Sequence, residues 1–297
     1  MLTMNAKLKI RGRWLWSLVM IGGLSGCLEI DKQPHQQQGE PLGRVKQIVS
    51  SCSSALSHSP AHPDEAILPG RFSIVVWNIY KQKAPLWQQE LERFAHHADI
   101  LLLQEAVNKP GLLEWLRKHH YHWELAEAFR YRRHSAGVLS AARIPSLYSC
   151  HQKAPEPFLR IPKTAMVTRY PLEEGTHSLL VVNIHSVNFD LSVSAYREQL
   201  QKLTRLIRHH EGPVILAGDL NSWSEKRQLL LEHEAAQLKL KPARIAPDQR
   251  MRVMGRPLDH LYYRGLSLVS ATAVATEGSD HHPILASFKW PAVSHSG

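Results

Sequence analysis

Apolar runs too short for helices recur along this chain, and many of them stop at an amide, a carboxylate or an imidazole. The clearest is Val214-Ile215-Leu216-Ala217-Gly218-Asp219-Leu220-Asn221, entered through Gly212-Pro213. A short, partly β-branched run with that punctuation specifies a strand inside a sheet. If the strand geometry continues, Asp219 and Asn221 point the same way, because alternate residues share a face. Two oxygen-bearing side chains fixed at the rim of a core suit a hydrated cation or a phosphoryl oxygen. Taken alone, Gly-Asp-x-Asn reads equally well as a turn closing a strand. The other polar tips shift the balance: Asn78, Glu105, Asn183 with His185, Asp259 with His260, and Asp280 with His281.

Between the tips, pattern predicts strands over 72–78, 99–105, 137–140, 165–168, 178–185, 258–263, 267–274 and 284–288. Helices are expected over 85–96, 111–120, 195–210 and after Ser222, whose spacing to Glu225 is that of a capping box. Many strands with few helices predict an α/β four-layer sandwich, two packed β-sheets flanked by helices. One domain is expected over 71–290, with a tail at 291–297.

The N-terminus reads as an address. Lys7 to Arg13 are basic, Trp14 to Leu24 are apolar but too short to span a bilayer comfortably, and Leu24-Ser25-Gly26-Cys27 follows. This resembles a lipoprotein signal over 1–26 with acylation on Cys27; an ordinary secretory signal or an uncleaved anchor are the alternatives. Acyl chains there would hold the protein at a bacterial cell envelope, and Leu28 after the Cys favours the outer membrane, facing the periplasm. Residues 27–70, rich in Gln, Pro, Ser and His, read as the lipidated Cys and a flexible tether. The formal charge of +10 includes Lys7, Lys9, Arg11 and Arg13, with no acid before Cys27, so the mature chain would carry +6. That excess suits nucleic acid or anionic phospholipid without choosing between them. Cys52 and Cys150 can pair in an oxidising compartment if the fold brings them within reach, which spacing does not decide.

The tips taken together resemble the endonuclease/exonuclease/phosphatase superfamily, the fold shared by deoxyribonuclease I, exonuclease III and neutral sphingomyelinases. The resemblance runs in order over 72–288. Trp77-Asn78, Leu103-Gln104-Glu105, Asn183-Ile184-His185-Ser186, Gly218-Asp219-Leu220-Asn221, Leu258-Asp259-His260 and Ser279-Asp280-His281-His282-Pro283 match its motifs. It implies a deoxyribonuclease I-like fold with mainly antiparallel sheets. Glu105 would bind Mg²⁺ (or Mn²⁺), aided by Asn78, with Asp280 in the metal shell or orienting neighbours. His281 would take the proton from attacking water, with Asp259 fixing its tautomer. Asp219 and Asn221 would position the nucleophile and phosphoryl oxygen, supported by Asn183, and His185 would donate to a phosphoryl oxygen or the leaving group. The tyrosine of the exonuclease III branch has no clear counterpart; Tyr131 stands nearest by position, inside Arg130-Tyr131-Arg132-Arg133-His134.

That basic-aromatic stretch suits a phosphate backbone or stacked base, and equally a solvated loop. Lys81, Tyr131 and Arg133 are the candidate phosphate contacts. The expected activity is a metal-dependent phosphodiesterase, foremost a nuclease on DNA or RNA, acting as a monomer. Phospholipid or small phosphate esters are the enzymatic alternative, and a tethered non-catalytic binding protein the other.

Overall fold

Alternation along the strands decides how this chain layers. In the computed structural model, residues 28–31, 35–41, 46–49, 52, 66–158, 161–172 and 178–290 are described. The chain runs β1 (Leu28–Glu29), β2 (His35–Gly39), β3 (Lys46–Val49), β4 (Arg71–Asn78), α1 (Trp87–Ala95), β5 (Ile100–Val107), α2 (Pro110–Lys118), β6 (His122–Tyr131), β7 (His134–Ala142), β8 (Tyr148–Ala154), β9 (Lys163–Pro171) and β10 (Ser178–His185). It continues with α3 (Ser194–Ile207), β11 (Val214–Asp219), α4 (Glu225–Gln237), β12 (Lys241–Pro242), β13 (Arg252–Val253), β14 (Arg256–Pro257), β15 (Asp259–Arg264), β16 (Ser267–Ala273) and β17 (Ile284–Lys289).

Nine strands form one sheet in the order β16-β17-β4-β5-β7-β6-β2-β3, with β1 added on β6; six form the other, β12-β15-β11-β10-β9-β8. Each sheet contains one parallel pair, β4 with β5 and β10 with β11. The other pairings are antiparallel, as the resemblance implied.

Ile74, Val76, Ile100 and Leu102 of the first sheet meet Leu179, Val181, Ile215, Ala217 and Leu261 of the second in a buried core. The alternate residues Val75, Trp77, Leu101 and Leu103 pack under α1 and α2 through Leu91, Ala95, Leu112 and Leu116. On the far side, Leu180, Val182, Ile184 and Leu216 lie under Tyr196, Leu200 and Leu203 of α3 and Leu230 and Leu231 of α4. Each of these buried Val, Leu and Ile side chains contributes about 1.5–3 kcal/mol. The four-layer sandwich expected from the sequence is the observed one.

The sequence reading departs from the structure in several elements. Residues 27–70 were expected to form a tether, yet β1, β2 and β3 lie within that span and extend the larger sheet past β6. β2 lacks an apolar stripe because amide bonds hold it: Gln36 Nε2 donates to Ser149 Oγ at 2.5 Å and Gln37 Nε2 to Ser135 Oγ at 2.9 Å. Cys52 and Cys150 form a disulfide, with Cα atoms 5.1 Å apart. The supposed loop from Phe129 is a hairpin: β6 runs on to Tyr131 after a bulge and pairs with β7 at His134. The cap of α4 is Ser224, not Ser222; Ser224 Oγ accepts from Arg227 N, while Ser222 Oγ bonds Pro257 O. The expected signal peptide, Cys27 and the tail lie outside the described residues.

The disulfide closes a loop of sequence separation 98 and fastens the segment that carries β1 to β3 onto the second sheet. Cys52→Ser is expected to lower unfolding free energy by ~2–5 kcal/mol in a urea titration. A loss below ~0.5 kcal/mol, within the range of ordinary surface substitutions, would show that the crosslink does not hold the segment.

Candidate active site

Parallel pairing sets two C-terminal strand ends side by side, so each sheet presents a pair of polar tips. In the first sheet Asn78 pairs with Gln104 across β4 and β5. Strict alternation would send Glu105 under the helices with Leu101 and Leu103. Instead the register shifts between Leu103 and Ala106, and it is Ala106 that rejoins that core. Glu105 is the extra residue, with φ of 54°. A bulge of this kind re-aims one side chain at the end of a strand.

The turn Tyr80–Gln82 then places Lys81 on Glu105. Its three residues have φ of 48°, 54° and 52°, a left-handed bend that costs L-residues energy. Gln82 holds it by a two-way pairing with Val107, Nε2 donating to its carbonyl at 2.7 Å and Oε1 accepting its N–H at 3.2 Å. The Lys81 ammonium forms a short ion pair with Glu105. Burial opposes the charge on Glu105, but Lys81 and then other nearby positive groups outweigh it and hold the carboxyl far below its usual range.

In the second sheet one register row carries the chemistry: His185 opposes Asp219, and Asp219 opposes Asp259. Gly218 permits this approach. It has φ of 139°, and a Cβ there would stand 2.0 Å from Ile184 O. Asn221, at φ 46°, folds back so that its N–H meets Asp219 Oδ1 at 3.2 Å and its Nδ2 donates to Ser186 O at 3.0 Å. The buried Arg227 fixes the loop beneath, donating to the carbonyls of Val187, Asn188, Asp190 and Asn221.

Asp219 Oδ2 is the meeting point. Asn78 Nδ2 donates to it at 3.0 Å, His185 Nε2 stands 3.4 Å away and His281 Nε2 3.9 Å away. His281 Nδ1 bonds Asp259 Oδ2 at 2.8 Å, so its other nitrogen faces Asp219. The loop bearing His281 is pinned to β4: Ser279 Oγ donates to Asn78 O at 2.6 Å, and Trp77 Nε1 donates to His281 O at 3.0 Å. Burial disfavours the His281 cation, but Asp259 and Asp219 overcome that and raise its pKa to about 10. Burial, then Lys163, drives His185 the other way, to about 3.

Glu105, Asn78, His185, Asp219, Asn221, Asp259, Asp280 and His281 thus occupy the tips and the loops joined to them, but several roles differ from expectation. Asn183 supports neither Asp219 nor Asn221. It is fully buried between the sheets, accepting from Gln104 Nε2 at 2.6 Å and donating to Leu139 O at 2.9 Å. His185 Nε2, expected to donate to a phosphoryl oxygen or the leaving group, lies between Lys163 Nζ at 2.8 Å and Asp219 Oδ2 at 3.4 Å. Lys163 itself escaped notice because it opens β9 as one lysine among many. Lys81, a candidate phosphate contact, is ion-paired with Glu105. Tyr131 and Arg133 lie at the β6–β7 hairpin, Arg133 exposed, and neither bonds a site residue named above.

The donors fit a hard divalent cation. Glu105 and Asp280 are carboxyls at the tips, Asp259 Oδ1 is buried without a hydrogen-bond partner, and the offered atoms of Asp219, Asp259 and His281 lie within 4.8 Å of one another. Asn78, expected to aid the metal, accepts Tyr80 N–H on Oδ1 at 3.1 Å while its Nδ2 donates to Asp219. Burial raises the pKa of Asp280, with His281 opposing and Glu105 adding to the rise.

Comparison with known proteins gives one family. Residues 75–281 match the model of the Endonuclease/Exonuclease/phosphatase family. Among solved structures, an endonuclease/exonuclease/phosphatase from Beutenbergia cavernae DSM 12333 aligns at TM-score 0.59 and 17% identity, over 75% of this chain and 72% of that one. The human Nocturnin catalytic domain with bound sulfate aligns at 0.58 and 18%, over 77% and 97%. ANGEL2, a 2',3'-cyclic phosphatase in complex with adenosine-2',3'-vanadate, aligns at 0.57 and 16%, over 74% and 96%. At these identities the likeness is one of fold.

Two outcomes follow from the His281–Asp259 pair. Asp259→Asn is expected to lower kcat by ~10²–10⁴ while leaving the fold intact, measured by steady-state kinetics beside circular dichroism. A raised histidine pKa stabilises the fold fully below the unfolded value of about 6.5, and the gain is lost as pH rises through about 10. In EDTA, the stability of wild type over His281→Gln should therefore shrink steadily across that window. A difference that grows with pH would refute the assignment.

Proposed function

The chain belongs to the Endonuclease/Exonuclease/phosphatase family, and on that premise we propose that it is a divalent-cation-dependent phosphodiesterase with nucleic acid as substrate. The observation that carries the reading is the convergence of Asn78, His185 and His281 on Asp219 Oδ2. Enzymes of this family hydrolyse phosphoric esters and use divalent metals. Glu105 and Asp280 would hold the cation, Mg²⁺ or Mn²⁺, which neutralises charge developing on the phosphoryl oxygens.

The chain's own residues do the rest. Asp259 bonds His281 Nδ1 and so directs the basic nitrogen, Nε2, toward Asp219. A water seated between Asp219 and His281 is oriented by the carboxylate and gives its proton to Nε2. The His281 imidazole must be neutral to accept, and a cation beside these carboxylates lowers its pKa from the metal-free value. Lys163 supplies an ammonium where a phosphoryl oxygen would enter, and its bond to His185 Nε2 fixes that ring. Lys81, ion-paired with Glu105, would be free to meet phosphate were a cation held on that carboxylate.

Two lysines inside the site, Lys81 and Lys163, supply cationic groups of the kind a polyanion needs. The adenosine-2',3'-vanadate held by ANGEL2 lends support from a neighbour of the same fold.

A phospholipid substrate is the second reading, favoured by one observation. Phe158, Leu191 and Met254 are 70%, 77% and 81% exposed on the loops that lead into or out of Lys163, His185 and Asp259, and Phe189 adds a fourth apolar side chain. With an acyl chain on Cys27 at an outer membrane, such a rim would meet lipid.

The test is cleavage of supercoiled plasmid and single-stranded RNA, beside release of headgroups from anionic vesicles. It uses protein beginning at Leu28, with Mg²⁺ or EDTA. Metal-dependent nicking or RNA cleavage, reduced ~10²–10⁴-fold in Asp219→Ala and His281→Ala, is the expected result. Headgroup release with intact nucleic acids would move the substrate to lipid. Inertness on all three would overturn the reading.

A further inference from the structure

A second cluster of metal-ligating side chains stands away from the catalytic tips. Glu92 lies on α1, His96 follows it at the helix end, and His119 ends α2. Glu92 Oε1 is 2.8 Å from His96 Nδ1, and Oε2 is 2.9 Å from His119 Nε2. The three offered atoms lie within 4.8 Å of one another. His96 and His119 precede β5 and β6, at the end of the sheet where β5 begins. Glu105 lies toward the other end, about 17 Å along extended strand.

The cluster is built, not a chance meeting of long surface chains. Arg143 donates to the backbone carbonyls of both His96 and His119, which locks the two helix ends together. Trp115 Nε1 donates to Glu92 Oε2 at 2.6 Å, and its ring stacks on His119 with centroids 4.3 Å apart. His119 is only 7% exposed, and its Nε2 is buried without a properly aligned hydrogen-bond partner while aimed at the carboxylate. A helix–helix ion pair needs neither an orphaned ring nitrogen nor a second histidine on the same carboxylate.

From this geometry we infer that Glu92, His96 and His119 form a transition-metal site of the zinc class, clasping α1 to α2. Tetrahedral zinc takes histidine nitrogens and carboxylate oxygens at about 2.0–2.2 Å, so its ligand atoms stand about 3.3 Å apart. The observed 2.8 and 2.9 Å separations run to the two different oxygens of Glu92, and one atom from each residue lies within 4.8 Å of the others, so the two rings need to swing toward one point. Solvent takes the fourth position. Two imidazoles select against Mg²⁺ and Ca²⁺, which prefer oxygen, so this site and the catalytic one draw different cations from one solution. Trp115 is the outer partner that orients the carboxylate ligand.

The experiment is a Zn²⁺ titration of the full chain in a large excess of Mg²⁺, read by calorimetry, with Co²⁺ absorption as a check on geometry. Wild type and Asp219→Ala are expected to bind one equivalent alike. Half-exposed His96 is replaced by Gln, and Glu92→Gln serves as a second variant. Both are expected to lose that equivalent while keeping wild-type circular dichroism and phosphodiesterase activity. Trp115→Phe should bind ~10-fold more weakly, and Zn²⁺ should raise Tm in wild type but not in His96→Gln. Zinc binding that disappears in Asp219→Ala and persists in His96→Gln would overturn the site. So would a wild type that binds no zinc above the Mg²⁺ background, leaving the cluster an ion-pair network only.

Discussion

Everything at the working end of this molecule depends on one buried carboxylate oxygen. Asp219 Oδ2 takes a hydrogen bond from β4 of the first sheet and faces two histidines, one from β10 and one from the loop before β17. A bare carboxylate between two packed sheets carries a heavy desolvation cost unless charge and hydrogen bonds compensate. Here the compensation is distributed among groups from both sheets. The sheets can therefore slide or separate only by unmaking the site, which couples catalytic geometry to the central core.

The pairing of two parallel strand pairs makes that possible. A purely antiparallel sheet alternates strand directions and scatters its C-terminal tips between two ends. By placing β4 beside β5 and β10 beside β11 in the same sense, the fold gathers Asn78, Glu105, His185 and Asp219 at one end. The bulge at Glu105 and the positive φ of Asn221 then turn the last side chains inward. Strain is concentrated where pre-organised geometry is useful.

Much of this was legible in the sequence because the tips follow uninterrupted apolar runs, and such runs admit few structures. His260 obeys the same alternation: next to Asp259 on β15, it faces the helix side and meets Ser222 at 2.6 Å. The misreadings share a cause. β2 is held by glutamine amides, β8 by pairing to β9, and neither advertises itself through hydrophobic period. Asn183 sits two residues before His185 and shares its face, but one lies within the sandwich and the other at its mouth, a distinction of depth that period cannot express. Lys163 and Arg227 are invisible for the opposite reason. A lysine or arginine in sequence reads as surface, and only the surrounding carboxylates, imidazole or carbonyls reveal a cation held inside.

The N-terminal strands alter what an attachment upstream would mean. Leu28 pairs with Tyr131 and Glu29 with Arg130, so β1 lies along the arm of the β6–β7 hairpin. That hairpin projects from the end of the sheet at which Glu105 lies, since Val107 pairs with Ala136 just short of it. A leash sets how far a domain can roam. A seam sets which way it looks, and the pairing of β1 with β6 ties the first described strand to the hairpin at the Glu105 end of the sheet.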